Sequence, residues 1–283
     1  MNVSILIENT CMYSKFLNAE HGFCAWIEDK DIRVLLDCGY SDNFIINAEK
    51  MGIDLCTVDY VVISHGHTDH AGGLKYLMKY FDERAIGRKP TLLYSSDDIF
   101  LKRYEFHWDT PVGMDVDRDK LDEYFEVRVS PKPIWLTENL CYMGITERSN
   151  NFEHIHPQTS QQLRNGVWCD DCVDEDTQIC YRHENGEEVS VIATCGHWGI
   201  CNIMEYAKKL TGANRVNTYI GGSHLRINEV PQSQVDETCA YLKTHPIENF
   251  YICHDTDLHC KLALCNACPG AKEGGVGMEL ELV

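Results

Sequence analysis

Residues 65–70 constrain the fold of this chain more than any other stretch, because their sequence is His-Gly-His-Thr-Asp-His. They follow an apolar, β-branched run at 60–64 and precede Ala-Gly-Gly-Leu at 71–74. Such a run, followed by a turn and a helical pattern, predicts a buried strand that ends at the histidines. Imidazoles and a carboxylate are ligands of first-row metals. The sequence therefore predicts a metal site at a strand end.

The spacing within residues 65–70 predicts two metal ions rather than one. Side chains alternate along an extended chain, so His65 and His67 point the same way and can hold one ion. Asp69 and His70 lie where a helix begins and are displaced toward a second ion. Imidazole with carboxylate favours two divalent ions, with zinc expected and iron or manganese as alternatives. Asp69 is the predicted catalytic residue, as both ligand and proton acceptor.

The charge of the chain argues against polyanionic partners. The 283 residues carry 25 basic and 44 acidic side chains, a net charge of −19. That charge repels phosphate backbones and anionic membranes, so we expect a small-molecule substrate, no nucleic acid and no membrane. Fifteen cysteines without a signal-like start indicate a reducing compartment, and the expected location is cytoplasmic.

Hydrophobic periodicity predicts an α/β fold. Strands are predicted at 3–8, 23–28, 32–37, 60–64, 92–94, 125–129, 139–144, 178–182, 188–194, 216–220, 249–253 and 277–282, and helices at 43–51, 74–81, 97–103, 200–210 and 232–243. The order of the predicted elements, strands followed by a helix, is repeated in the second half of the chain. This repetition indicates two sheets packed face to face with helices outside. No hinge-like linker is visible, so residues 1–283 are predicted as a single domain. The polar stretch at about 145–176 is predicted as a long loop, a lid or pocket wall.

A dinuclear site needs further ligands, and three histidines follow apolar runs in the second half of the chain: His197, His224 and His254. Strand ends converge at one rim of a sheet, which favours a ligand role over a hydrogen-bonded core histidine. Asp37 also ends a predicted strand and is expected to accept an imidazole N–H and fix its tautomer. Glu147 and Cys195 could reach a metal, or could be a solvated carboxylate and a packed thiol.

Two Cys-x-x-Cys pairs form a separate pattern. The four cysteines are Cys169, Cys172, Cys265 and Cys268. Four thiolates at this spacing can form a closed structural zinc site if the fold brings them together. The alternative is a redox-labile or unpaired set.

The motif at 65–70 resembles the signature of the metallo-β-lactamase superfamily, and that resemblance implies a four-layer αββα sandwich of two mixed sheets with helices outside. The residues at 19–23, 36–39, 47–49, 221–225 and 275–278 are similar to one branch of it. That branch is the metal-dependent hydrolases of β-lactamase superfamily II, which include the archaeal dihydropterin-ribofuranosylaminobenzene-phosphate synthase. The likeness runs nearly end to end.

The resemblance also implies a ligand set. His65, His67 and His197 would hold the first ion, and Asp69, His70 and His254 the second, with His224 exchanging for His254 or contacting substrate. The chain departs from the branch pattern at Trp198, where a small residue is usual, and at Asp255, where the pattern has cysteine. No equivalent of the superfamily's metal-bridging Asp is evident, and Cys195, Glu147 or solvent are the alternatives.

The function predicted from these features is a metal-dependent hydrolase. A dinuclear, zinc-type centre would activate water against an ester, phosphoester or amide of a small molecule. One alternative is a metal-dependent transferase resembling the pterin-condensing relative. The other is a non-catalytic protein that binds a metal or ligand.

Overall fold

The computed structural model describes residues 1–153, 160–226 and 229–282. The chain forms two compact units. Unit 1 comprises the described residues within Met1–Pro131, Pro157–Glu175 and Gly275–Glu281. Unit 2 comprises those within Lys132–His156, Asp176–Gly274 and Leu282–Val283. The prediction of a single domain stays a prediction.

The described residues form eighteen strands and seven α-helices. The strands are β1 Asn2–Ile7, β2 Cys24–Asp29, β3 Ile32–Leu36, β4 Tyr60–Val62, β5 Thr91–Tyr94, β6 Arg103–Glu105, β7 Thr110–Pro111, β8 Glu126–Val129, β9 Ile134–Trp135, β10 Leu140–Ile145, β11 Ser160–Arg164, β12 Val167–Asp170, β13 Thr177–Arg182, β14 Glu188–Ala193, β15 Arg215–Gly221, β16 Asn249–Ile252, β17 Ala271–Glu273 and β18 Glu279–Glu281. The helices are α1 Asn43–Met51, α2 Thr68–Ala71, α3 Leu74–Arg84, α4 Leu121–Tyr124, α5 Ile200–Thr211, α6 Gln232–Thr244 and α7 Leu258–Ala267.

Unit 1 contains a seven-stranded mixed sheet in the order β18-β1-β2-β3-β4-β5-β8. Pairing is antiparallel from β18 to β3 and parallel from β3 to β8. Helices α1 and α3 contribute apolar side chains to its core, among them Phe44, Leu77 and Phe81. The β3–β4 pair matters most for function, because parallel strands end at the same edge of a sheet.

Unit 2 contains a second seven-stranded mixed sheet, in the order β17-β16-β15-β14-β13-β10-β9. Strands β14, β15, β16 and β17 are parallel to one another, and the rest of the sheet is antiparallel. Helix α5 packs its buried face, which includes Ile203 and Ala207, into the core of this unit. The predicted α/β fold with two mixed sheets and helices is therefore confirmed.

A small four-stranded sheet, β12-β11-β6-β7, corrects two of the sequence predictions. The helix predicted at 97–103 is only a 3₁₀ turn at Asp97–Phe100, which is followed by β6. The described part of the predicted long loop at 145–176 contains the β11–β12 hairpin. Its turn is Asn165-Gly166, with φ of 53° and 81°, and two positive φ values are the requirement of a type I′ hairpin turn. Residues 145–176 were predicted as a loop because they are mostly polar, although Asn-Gly is a typical hairpin turn sequence. Its role as a lid stays a prediction.

No helix within the described ranges combines the length and the apolar character that crossing a bilayer demands.

Candidate metal centre

The motif at 65–70 lies directly after β4 in unit 1. His65 and His70 are fully buried, whereas His67 and Asp69 are partly exposed. The ring centroid of His65 is 4.8 Å from that of His67 and 4.2 Å from that of His70. His70 Nε2 lies 3.8 Å from Asp69 Oδ2. Two ligand atoms of one tetrahedral zinc ion are about 3.3–3.6 Å apart, so this pair is close to ligand spacing.

Asp37 orients two of these histidines. It follows β3, and because Leu36 pairs with Val62 of β4, its carboxylate reaches the residues that follow Val62. Ser64 donates its backbone N–H to Asp37 Oδ1 and its hydroxyl to Asp37 Oδ2, each at 2.7 Å. His70 Nδ1 lies 2.8 Å from the same Oδ2.

These contacts form a chain of hydrogen bonds, called here the Asp37–Ser64 relay. The Ser64 hydroxyl donates its hydrogen bond to Asp37, so its oxygen accepts a hydrogen bond from His65 Nδ1, which lies 2.8 Å away. With Nδ1–H donating in both His65 and His70, the Nε2 atom of each neutral ring carries the lone pair. This tautomer leaves Nε2 of each ring free of hydrogen and able to bind a metal ion. Asp37 also has a positive φ of 58°, a conformation that is uncommon outside glycine and frequent at functional sites.

His67 is held by a different, buried carboxylate. Its Nε2 lies 2.9 Å from Asp171 Oδ2, so in the neutral ring Nε2–H donates and Nδ1 carries the lone pair. Arg103 Nε lies 3.1 Å from Asp171 Oδ1 and 3.0 Å from Oδ2. Arg103 also donates to Glu175, whose Oε1 accepts the Gly66 backbone N–H at 3.2 Å. All three charged side chains are almost fully buried.

The buried position of Asp171 affects its ionisation. Burial raises the pKa of its carboxyl, but the hydrogen bond and charge of His67, together with Arg103, outweigh burial and hold the pKa well below the usual range. Asp171 is therefore ionised at neutral pH and accepts hydrogen bonds from both partners.

Asp69 is supported by the segment at 21–23. His21 Nε2 lies 3.2 Å from Asp69 Oδ2, and the His21 side chain is 65% exposed. The Phe23 N–H donates to the Asp69 carbonyl oxygen at 3.3 Å. Between them, Gly22 has a φ of 132°, and a Cβ there would lie 2.1 Å from that same oxygen. Only glycine permits this approach.

In unit 2, three parallel strands bring the later histidines to one sheet edge. Ala193 of β14 pairs with Gly221 of β15, which pairs with Ile252 of β16. The loops that follow these strands carry His197, His224 and His254, all of them buried. The ring centroids of His197 and His224 are 4.2 Å apart.

Cys195 lies among these histidines. Its Sγ, with ring nitrogens of His197 and His224, forms one group of possible ligand atoms within 4.8 Å of one another. The same sulfur forms a second such group with His254 and Asp255. Both groups consist of donors that zinc accepts.

Asp255 links several members of the two groups. Its Oδ2 accepts from Cys195 Sγ at 3.2 Å and lies 2.8 Å from His224 Nε2. Arg226 Nη1 is 3.4 Å from Oδ1. Burial raises the pKa of Asp255, but the charges and hydrogen bond of His224, Arg226 and His254 lower it well below the usual value. Both His224 and Asp255 have positive φ, 49° and 57°.

The remaining predicted residues are not part of these groups. Glu147 is exposed and forms an ion pair of 2.5 Å with Lys209. The thiols of Cys169, Cys172, Cys265 and Cys268 form the two Cys-x-x-Cys pairs. None of them occurs in the possible ligand groups found among the described residues. Cys169 and Cys268 instead donate to backbone carbonyl oxygens. The structural zinc site stays a prediction.

The sequence reasoning missed Ser64, Arg103, Asp171 and Asp255. Ser64 directly precedes the motif, and a hydroxyl beside Asp37 could have indicated the relay. In the sequence Asp255 is recognisable only as a departure from the branch pattern. Asp171 lies between Cys169 and Cys172, where the cysteines are the more specific signal. No local pattern identifies Arg103 as a site residue.

Comparison with known proteins identifies the family. Residues 17–139 match the model of the metallo-β-lactamase superfamily. An uncharacterised protein of Methanocaldococcus jannaschii is 30% identical over 234 residues, which cover 79% of each chain. This chain belongs to the metallo-β-lactamase superfamily. The superfamily consists largely of enzymes, many of them hydrolases, and generally binds divalent metal ions.

Two further comparisons concern the branch and the fold within the superfamily. The 7,8-dihydropterin-6-methyl-4-(β-D-ribofuranosyl)-aminobenzene-5′-phosphate synthase of M. jannaschii is 27% identical over 233 residues, 80% of this chain and 78% of the synthase. The crystal structure of a metal-dependent hydrolase of the β-lactamase superfamily is 24% identical, with a TM-score of 0.79 over 100% of this chain and 99% of that one. The likeness to this crystal structure establishes the fold.

Proposed function

We propose that this chain is a metal-dependent hydrolase in which a dinuclear, zinc-type centre activates water against an ester, phosphoester or amide of a small molecule. The observation that carries the proposal is the set of hydrogen bonds that Asp37 makes directly to His70 and through Ser64 to His65, because they hold both rings in the tautomer whose Nε2 can bind a metal ion. A surface cluster of histidines has no need of such a buried carboxylate.

The proposed ligands in unit 1 are His65, His67, Asp69 and His70, and the proposed ligands in unit 2 are His197 and His254. Imidazole nitrogen with carboxylate oxygen is a donor set that zinc, iron and manganese accept. The metal ions, when bound, would lower the pKa of a water molecule and polarise the substrate oxygen.

The protein's own residues would supply orientation and proton transfer. The Asp37–Ser64 relay holds His65 and His70, and Asp171 holds His67, so three rings stay in fixed tautomers. Asp69 is the proposed proton acceptor. Its contact with the exposed His21 at 3.2 Å gives the proton a route to solvent. His224 is the proposed substrate contact, or the ligand that replaces His254.

A metal-dependent transferase is the second candidate, and it is favoured by the 27% identity to the synthase over 80% of this chain. Hydrolysis in ¹⁸O-labelled water separates the two candidates, because a hydrolase incorporates label without a second organic substrate. A product that forms only with a second organic substrate present would favour the transferase.

The decisive experiment is elemental analysis of the purified protein with a screen of phosphoesters, lactones and thioesters, with and without added zinc, manganese or iron. Asp69→Asn should lower the metal-dependent rate by about 10²–10⁴-fold, the range of a lost acid–base group. Asp115→Asn is the matched control, because that side chain is 95% exposed, and it should leave the rate unchanged. Absence of bound metal together with absence of metal-dependent turnover would refute the proposal and favour a non-catalytic protein.

A further inference from the structure

Cys195 differs from two other buried cysteines of unit 2, Cys141 and Cys268, in the partner of its thiol. Cys141 and Cys268 donate to the backbone carbonyl oxygens of Tyr142 and Ile247. Cys195, which is 2% exposed, instead donates to the side-chain carboxylate of Asp255. A buried thiol packed only as a small apolar group needs no such partner.

The sulfur of Cys195 is also the atom that the two ligand groups of unit 2 share. One group adds His197 and His224, and the other adds His254 and Asp255. Ligand atoms of one tetrahedral zinc ion lie about 3.3–3.8 Å apart. The atoms of each group already lie within 4.8 Å of one another, so small side-chain movements would bring either group to ligand distance.

We propose that Cys195 is a metal ligand, and that its thiolate is shared between the two groups of unit 2. The inference rests on the proposed function for the presence of metal, but it adds a sulfur donor that the motif at 65–70 does not contain. On coordination the S–H bond breaks, its electron pair forms the metal–sulfur bond, and the proton leaves to solvent by way of Asp255, which already accepts it as a hydrogen bond.

A sulfur donor changes the metal preference of the site. Thiolate ligands select zinc over magnesium, calcium and manganese, which prefer oxygen. The chain should therefore bind zinc or cobalt(II) more tightly than manganese. Loss of the sulfur should make the affinities for zinc and manganese more similar.

Cobalt(II) provides a direct test, because a cobalt–thiolate bond gives a near-ultraviolet charge-transfer band that imidazole and carboxylate ligands do not. The parent protein for the test carries Cys172→Ser and Cys265→Ser, which removes one thiol from each Cys-x-x-Cys pair. Both side chains are at least partly exposed, so these changes should be tolerated. Metal-free parent protein is loaded with cobalt(II) without oxygen, and the bound metal is measured by elemental analysis.

Cys195→Ser and Cys141→Ser are then compared in this parent. Serine keeps a donor for Asp255, so Cys195→Ser should fold, and Cys141→Ser is the matched change of a buried thiol of the same unit. We expect the band in the parent and in Cys141→Ser, and its loss in Cys195→Ser while cobalt still binds. A metal-loaded parent without the band, or a band that survives Cys195→Ser, would overturn the inference and leave the proposed hydrolase intact. A parent that retains no cobalt would overturn both.

Discussion

The Asp171→Asn substitution tests whether the buried carboxylate at the base of the β11–β12 hairpin orients His67. Asparagine has nearly the same shape but lacks the charge. Asp171 accepts from His67 at 2.9 Å and from Arg103 at 3.0 and 3.1 Å. A hydrogen bond to a charged group contributes about 1.5–3 kcal/mol, and a neutral one about 0.5–1.5. Weakening both interactions should lower the free energy of unfolding by about 2–3 kcal/mol.

Two measurements follow from this estimate. In metal-free protein, a loss of about 2–3 kcal/mol corresponds to a fall in Tm of roughly 3–5 °C for a chain of this length. In zinc-binding competition against a coloured chelator, loss of a partner that orients a ligand should weaken affinity by about 10–100-fold. Asp170→Asn is the matched control, because Asp170 is the adjacent residue and is exposed. Equal Tm and equal zinc affinity in Asp171→Asn and wild type would refute the reasoning.

The same substitution has a predicted pH dependence. The pKa of Asp171 is lower in the folded protein than in the unfolded chain. Its carboxylate therefore stabilises the fold above the unfolded pKa of about 3.9, and this contribution is lost as the pH falls further. The difference in unfolding free energy between metal-free wild type and Asp171→Asn should shrink as the pH falls below about 4. A difference that grows on acidification would contradict the sign of the shift.

Three further outcomes are expected. Gly22→Ala places a Cβ 2.1 Å from the Asp69 carbonyl oxygen and should cost about 2–3 kcal/mol of stability and much of the bound metal. Gly52→Ala, at a φ of 75° with nothing within 4 Å, should cost only about 1 kcal/mol, as urea denaturation will measure. Asp37→Asn should weaken zinc binding about 10–100-fold, and unchanged affinity would show that the relay does not orient the ligands. Removing metal with a chelator should lower Tm, and restoring zinc at 100 times its Kd should return about 2.7 kcal/mol.

The sequence was sufficient for the features that are local to one stretch. The helix at Asn43–Met51 and its glycine terminus were predicted at the observed bounds, because apolar spacing and a glycine end are short-range signals. The edge strand near the C-terminus was also predicted, and β18 pairs with β1 at the edge of its sheet. Conversely, α7 has no clear apolar face and was not predicted.

The residues of the candidate site likewise fall into those that the local sequence predicts and those that it does not. Residues 65–70 are consecutive, so their chemistry could be recognised directly. The carboxylate that holds His67 is 104 residues away from it along the chain, and no local pattern connects the two. Arg103 was missed for a related reason, because its segment was predicted as the end of a helix rather than as β6.

The β11–β12 hairpin limits how the length of this chain can change during evolution. Surface hairpins are ordinarily places where insertions and deletions are tolerated. The tip at Asn165-Gly166 fits that expectation, since a Cβ on Gly166 would meet nothing within 4 Å. Side chains alternate between the faces of a strand, however, so removal of one residue from β12 would turn Asp171 away from His67. Related sequences should therefore vary freely at the tip, while the number of residues from the first residue of β12, Val167, to Asp171 stays fixed.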